Sequence, residues 1–363
     1  MDEISLRPFD GLAIAGLLML PGLLFTWPAT LSGQSAGAGW MALLGAHLAV
    51  LPLFLIVTWL MGMHRGKDLI LAASATLGRP FGALYGVLLA AYFCFSTGLL
   101  LREGAEVFRV YGLSLTPVPI IAGLTLIAAL IMNLFGGRAI IKSAGFFFLL
   151  LLLGLVFVMI LGLNRYNPDH IFPILGYGGQ SIAHSGLGAA GMIDGVIILA
   201  LFAPSFAGTG KMRKAGLLAL ALSGGVSAAF YLCLIMMFSP AAASGMISGF
   251  MEMGKSIYYN RFFYRFESVL LFFLIFSSLL TACLGLYIAR KSAAIAFGGG
   301  SPKAFAAVCG GIIFAVALIP ADLFDLSSRY LDFTRRYSIF FIAGVPVFLL
   351  LISAVKRVFL REK

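Results

Sequence analysis

Asp194 is the residue with the greatest chemical consequence. It stands in the run Gly186-Leu187-Gly188-Ala189-Ala190-Gly191-Met192-Ile193-Asp194-Gly195. A carboxylate within an apolar helix is costly in lipid and faces a cavity or a partner, so its type and place fit ligand or proton handling. Five apolar stretches earlier, Leu20-Pro21-Gly22 interrupts the first one. Proline removes a backbone donor and clashes with the preceding turn, and glycine lets the chain change direction. The sequence therefore predicts two broken helices, one at Pro21 and Gly22 and one from Gly191 to Gly195. Amides freed at the start of a half-helix hold a carboxylate, and freed carbonyls hold an ammonium or a cation. A small zwitterion suits that pair of groups. Tyr92 and Ser96, one turn apart, and Thr281 fall mid-stretch and are candidates to line the same pocket. The competing reading is packing: Gly191 and Gly195 form a G-x-x-x-G pair suited to close helix approach, and lone hydroxyls commonly bond to a neighbouring helix.

Other ionisable groups read as structural. Arg102 and Glu106, four apart on one helical face, can pair with each other. We expect an ion pair near the outer end, with a gate as the alternative. Glu267 opens an apolar stretch, where an acid favours the positive end of a helix. The four cysteines lie in apolar runs without a C-x-x-C pair, and the four histidines have no metal spacing. No metal, cofactor or disulfide is expected. Enzyme motifs are also missing: Gly208-Thr209-Gly210-Lys211 lacks both the earlier glycine and the following Ser/Thr of a phosphate loop.

The elements that must position these residues follow from composition. The 363 residues are 61% hydrophobic and 11% charged, with a mean hydropathy of +1.05. A soluble domain is excluded, since it would be about half apolar and a quarter charged. Runs such as Phe146 to Gly162 do not alternate, which argues against a membrane barrel. The expected fold class is an all-α polytopic membrane protein. About ten spans are predicted, near 10–31, 38–62, 80–109, 116–135, 143–163, 186–207, 215–238, 266–297, 303–320 and 337–359. The connections 164–185 and 239–265 are long and amphipathic, which suggests short helices on the membrane surface. No cleavage site follows the first residues, so the first span is expected to remain as a helix.

Charge supports the count. With the N-terminus inside, sixteen of the 25 Lys and Arg residues fall on the inner face with five of the 14 acids, and the remaining nine of each balance elsewhere. Cytoplasmic loops carry the basic excess, so both termini are expected to be cytoplasmic. The excess is explained by topology and anionic lipid, and nucleic acid is not an expected partner. Breaks five spans apart point to a 5+5 inverted repeat with its site at the midplane. The chain reads as a single transmembrane domain over 1–363, with five-helix repeats at 10–163 and 186–359.

Several stretches stand out in order: Gly22-Leu23-Leu24-Phe25-Thr26-Trp27-Pro28 with Gly39-Trp40; Leu101-Arg102-Glu103 through Glu106 to Thr116-Pro117; Phe172-Pro173-Ile174-Leu175-Gly176; Arg265-Phe266-Glu267-Ser268; and Pro320-Ala321-Asp322 with Tyr330, Pro346 and Lys356-Arg357. In their order and spacing they resemble the spore germination permease family, the B subunits of GerA-type nutrient germinant receptors. That family is similar to amino-acid transporters of the APC superfamily with the LeuT-like fold. The resemblance implies a membrane subunit that binds a small nutrient, an amino acid above all, between broken helices 1 and 6. It also implies A-type and C-type partner subunits and a spore inner-membrane location. An amino-acid transporter coupled to H⁺ or Na⁺ is the alternative. Conduction of water or ions within an opening complex is compatible with the first reading.

Overall fold

The computed structural model describes residues 5–257 and 266–361, with the backbone alone at 266–267 and 355–361. It is helical almost throughout. Helices α1 (Pro8–Met19) and α2 (Trp27–Ser35) are separated by a 3-10 turn over Pro21–Leu24. There follow α3 (Gly39–Met63), α4 (Leu69–Leu77), α5 (Arg79–Tyr111), α6 (Val118–Leu134) and α7 (Gly137–Leu161). The second half holds α8 (Gly179–Ala190), then α9 (Gly195–Ile198) running into a 3-10 segment Leu199–Ser205, then α10 (Thr209–Met237). Two short helices, α11 (Pro240–Ser244) and α12 (Gly249–Ser256), lead to α13 (Phe266–Ala296) and α14 (Pro302–Ala317). The chain ends with α15 (Leu323–Asp325), a π segment Leu326–Leu331 and α16 (Asp332–Arg361).

Among the described residues seven helical stretches are long and apolar enough to cross a membrane, and three shorter apolar helices accompany them. This agrees with about ten crossings. Large apolar side chains such as Leu48, Trp59, Leu124, Phe146, Leu153 and Phe340 point outward. In lipid such a surface carries no penalty, so helix association has to come from close packing and internal hydrogen bonds. The crossing of α5 and α13 shows both. A side chain on Gly285 would begin 2.0 Å from Thr97 Oγ1, so only glycine lets the two helices approach there. On the basic face Lys291 of α13 reaches a carbonyl in the 3-10 half of the sixth span, donating from Nζ to Leu201 O at 3.0 Å. Asp68 caps α4 by accepting from Ile70 and Leu71 amides, both at 2.9 Å, which satisfies two donors that the first turn cannot pair internally.

One sequence expectation needs correction. The tenth span is expected to begin near 337, yet helical structure starts at Leu323 and passes through the π segment. Charged residues in this stretch hide it from a hydropathy reading. The connection 239–265 holds short helices, and in α12 Phe250, Met251 and Met253 are buried against the Pro21–Leu24 turn and α13, while Lys255 is exposed.

Candidate functional site

The first break arises where α1 ends at Leu20, whose amide bonds Gly16 O at 2.9 Å. Pro21 has no amide to continue the ladder, and the next turns tighten to 3-10 bonds such as Leu23 N to Leu20 O at 3.0 Å. Phe25 then leaves the helical region, with φ −110° and ψ −147°, and α2 restarts with Pro28 in its first turn. The amide freed at this restart is occupied. Thr26 donates its N–H to Glu103 Oε1 at 3.0 Å and its hydroxyl to the same oxygen at 2.5 Å. Glu103, on α5, is only 3% exposed. An internal carboxylate thus sits where the sequence led us to expect a ligand's carboxylate.

The second break runs from Gly191 to Asp194 between α8 and α9. Asp194 Oδ2 accepts from the Tyr92 hydroxyl at 3.0 Å, which joins this break to the middle of α5. Gly191 offers its carbonyl to the Ser338 hydroxyl of α16 at 2.6 Å. The two breaks touch: a side chain on Gly22 would begin 3.2 Å from the Trp27 ring and 3.6 Å from Met192 Cε. Below them a side chain on Gly195 would begin 2.6 Å from Ala15 O, so α9 lies directly on α1.

Arg335 completes the polar set. It is 4% exposed, and its Nη1 donates to Thr30 Oγ1 of α2 at 3.2 Å. The carboxylates whose fields reach it are Glu103 and Asp332. The region where α2, α5, α16 and the two breaks converge therefore holds Glu103, Asp194 and Arg335, largely removed from water, together with the hydroxyls of Thr26, Thr30, Tyr92 and Ser338. In so low a dielectric these charges act strongly on anything bound among them.

Hydrogen bonds tie down both ends of the first span. At one end Ser248, which starts α12, donates to Leu24 O at 2.5 Å, and Ser32 of α2 donates to Pro240 O at 2.8 Å. At the other end Leu6 N donates to Ser205 O at 2.8 Å, pinning the start of α1 to the end of the sixth span.

Each expected residue has a definite place. Pro21, Gly22, Gly191 and Asp194 form the two breaks, and Tyr92 bonds Asp194. Thr281 lies alongside, donating to Leu17 O at 2.9 Å and also lying 2.8 Å from Ser277 O, so it ties α13 to the end of α1. Ser96 is half-buried one turn beyond Tyr92 and makes no hydrogen bond to either break. Arg102 and Glu106 pair at 2.8 Å, and Arg109 reaches Glu106 Oε2 at 2.9 Å. Arg102 also donates to Ala317 O at 3.2 Å and Ala321 O at 3.1 Å. It fastens α5 to the end of α14, well away from Asp194. The side chain of Glu267 lies outside the described residues.

Sequence reasoning passed over Glu103 and Arg335. Glu103 is itself a carboxylate inside a span, the signal that singled out Asp194, but Arg102 and Glu106 drew the reading to their own face. Arg335 was counted only among the nine basic residues off the inner face, because the tenth span was started at 337, beyond it.

The family model described as spore germination protein matches residues 13–325. Spore germination protein A2 of Bacillus subtilis (strain 168) is 25% identical over 184 residues, half of this chain and half of that protein. The chain thus aligns with about half the length of this curated relative. Among solved structures, the nucleobase-cation-symport-1 transporter Mhp1, closed with bromovinylhydantoin bound, gives a TM-score of 0.66 at 13% identity over 95% of this chain and 78% of its own. MhsT in complex with L-phenylalanine gives 0.66 at 16% identity over 94% and 87%. A Na⁺-coupled sialic acid symporter in a substrate-bound outward-open state gives 0.66 at 10% identity over 95% and 78%. At these identities the likeness is one of fold, the LeuT-like fold that the sequence led us to expect.

Proposed function

This chain belongs to the spore germination protein family, and on that premise we propose that it is the ligand-binding membrane subunit of a spore germinant receptor. The ligand is a small nutrient, an amino acid above all, held where the breaks at Pro21-Gly22 and Gly191 to Asp194 meet, with Tyr92, Ser96 and Thr281 nearby. One observation carries the reading: two interrupted helices contact each other at a depth where Asp194 and its Tyr92 partner supply charge. Irregular backbone and a carboxylate are costly there unless they are buried in protein or line a cavity, and a ligand held between the breaks would use both.

In this reading residues 10–163 and 186–359 are two inverted repeats, and ligand binding shifts one against the other. The contacts at Ser248–Leu24 and Leu6–Ser205 are the ones such a movement would break first. A-type and C-type subunits would sense that change in the spore inner membrane, with both termini cytoplasmic. A second reading, an amino-acid transporter coupled to H⁺ or Na⁺, draws on the fold shared with known symporters.

The test is a thermal-shift screen of the purified protein against amino acids, sugars and nucleosides. A ligand at a hundredfold its dissociation constant stabilises by about 2.7 kcal/mol. Selective stabilisation is expected from an amino acid, and a panel without effect would refute ligand binding. Labelled ligand is then offered to proteoliposomes. Binding without accumulation supports the receptor, whereas accumulation driven by an ion gradient supports the transporter.

A further inference from the structure

Arg335 Nη1 is bonded to Thr30, but the opposite edge of the guanidinium, Nε and Nη2, is buried and has no hydrogen-bond partner. This is costly, because a charged donor removed from water loses its hydration and gains nothing in return. The nearby carboxylates do not relieve it. Glu103 makes no ion-pair contact with it and accepts from Thr26 through Oε1, at 3.0 and 2.5 Å, and Asp332 is paired with Arg336 at 3.2 Å. Among the described residues Arg335 makes no ion pair. Its backbone meanwhile is fixed in place: the Arg335 carbonyl packs on Gly191, and Ser338 one turn on bonds the Gly191 carbonyl at 2.6 Å. The side chain is therefore held against the second helix break by its own helix and tethered to α2 by Thr30.

The Nε and Nη2 edge is the side of guanidinium whose two parallel N–H groups match the two oxygens of a carboxylate. Arg102 turns the same edge to Glu106 in this protein, with both nitrogens on the single oxygen Oε1 at 3.0 and 2.8 Å. We propose that the open edge of Arg335 is the recognition point for a carboxylate group of the ligand. The assignment rests on the ligand-binding reading above and narrows it. It also moves the expected anion site: the Thr26 amide at the first break is already filled by Glu103, so the ligand's carboxylate is read by α16 and not by the freed backbone of α2. Glu103 balances the arginine charge without touching it and leaves the fork open. A carboxamide presents an NH₂ group to a donor edge, which leaves donors facing donors and selects against it.

The experiment compares L-amino acids with their matching carboxamides, together with sugars and nucleosides, as binding partners of the purified full chain. Wild-type protein is expected to bind at least one amino acid and to reject its amide by roughly a hundredfold, about tenfold for each of two charged hydrogen bonds. Arg335→Gln should lose that preference by weakening the acid, and Arg335→Lys should recover only part of it, since an ammonium lacks the fork. Equal binding of acid and amide by the wild type overturns the proposal without needing any variant to fold. So does Arg335→Gln that keeps the acid preference, or selective binding of a sugar or nucleoside alone; in these cases ligand binding itself still stands. A panel in which nothing binds overturns the ligand-binding reading and this assignment with it.

Discussion

Gly191 offers a perturbation whose size can be worked from the geometry. A Cβ there would lie 1.9 Å from the Arg335 carbonyl oxygen and 2.6 Å from Ser338 Oγ. Contact begins near 3.4 Å, so even alanine is about 1.5 Å too close to a backbone atom that no rotamer change can move. α8 and α16 must separate, at about 1–3 kcal/mol for the overpacking, and the Ser338 bond to Gly191 O goes with it, at about 1 kcal/mol. Leucine, although favourable in a spanning helix, would clash further still at this position, because Gly191 packs directly on α16. Gly188, on the same helix, has open space around its Cβ position. Gly188→Ala should be neutral or raise stability by up to about 1 kcal/mol through helix propensity. The assay is thermal unfolding in detergent of wild type, Gly191→Ala and Gly188→Ala side by side. We expect Gly191→Ala to melt several degrees lower, roughly 5 °C or more, and to lose ligand response together with membrane abundance. Equal melting of the two variants would show that α16 is not seated on the second break.

Glu103→Gln removes the charge that offsets Arg335 and should cost about 3 kcal/mol, the usual scale for leaving a buried charge uncompensated. The double variant Glu103→Gln with Arg335→Gln should be less unstable than that single variant, and an additive result in chemical or thermal unfolding would deny their coupling. Arg102→Ala should cost about 2–4 kcal/mol, because four charged donor contacts, to Glu106 and two carbonyls, are lost in a buried place. Arg336→Ala, at an exposed pair, should change melting by less than about 1 kcal/mol. Cysteines placed at the exposed positions Lys67 and Lys211 should react with a membrane-impermeant reagent from one side of the membrane, and one placed at Leu115 from the other. Labelling of Lys67 and Lys211 from opposite sides would refute the topology.

Some features depend only on local composition, so the sequence determined them unaided. Apolar runs of spanning length set about ten crossings, since each must satisfy its backbone internally in lipid. Proline at Pro21 and the glycines from 186 to 195 set the two breaks, because backbone chemistry acts within a turn or two. The pairing of Arg102 with Glu106 followed from four-residue spacing on one helix. What tertiary structure decided was which groups meet across helices. Glu103 and Arg335 lie far apart in the chain, and neither has a periodic signature. Only the packing of α16 against the second break and of α5 against the first brings them into one buried region. Hydropathy also misplaced the start of the tenth span, because a charged residue lowers a window average whether its side chain faces water or a buried site. In the sequence Arg335 is one of nine basic residues off the inner face; the fold turned it inward with an unpaired edge, through contacts from other segments of the chain.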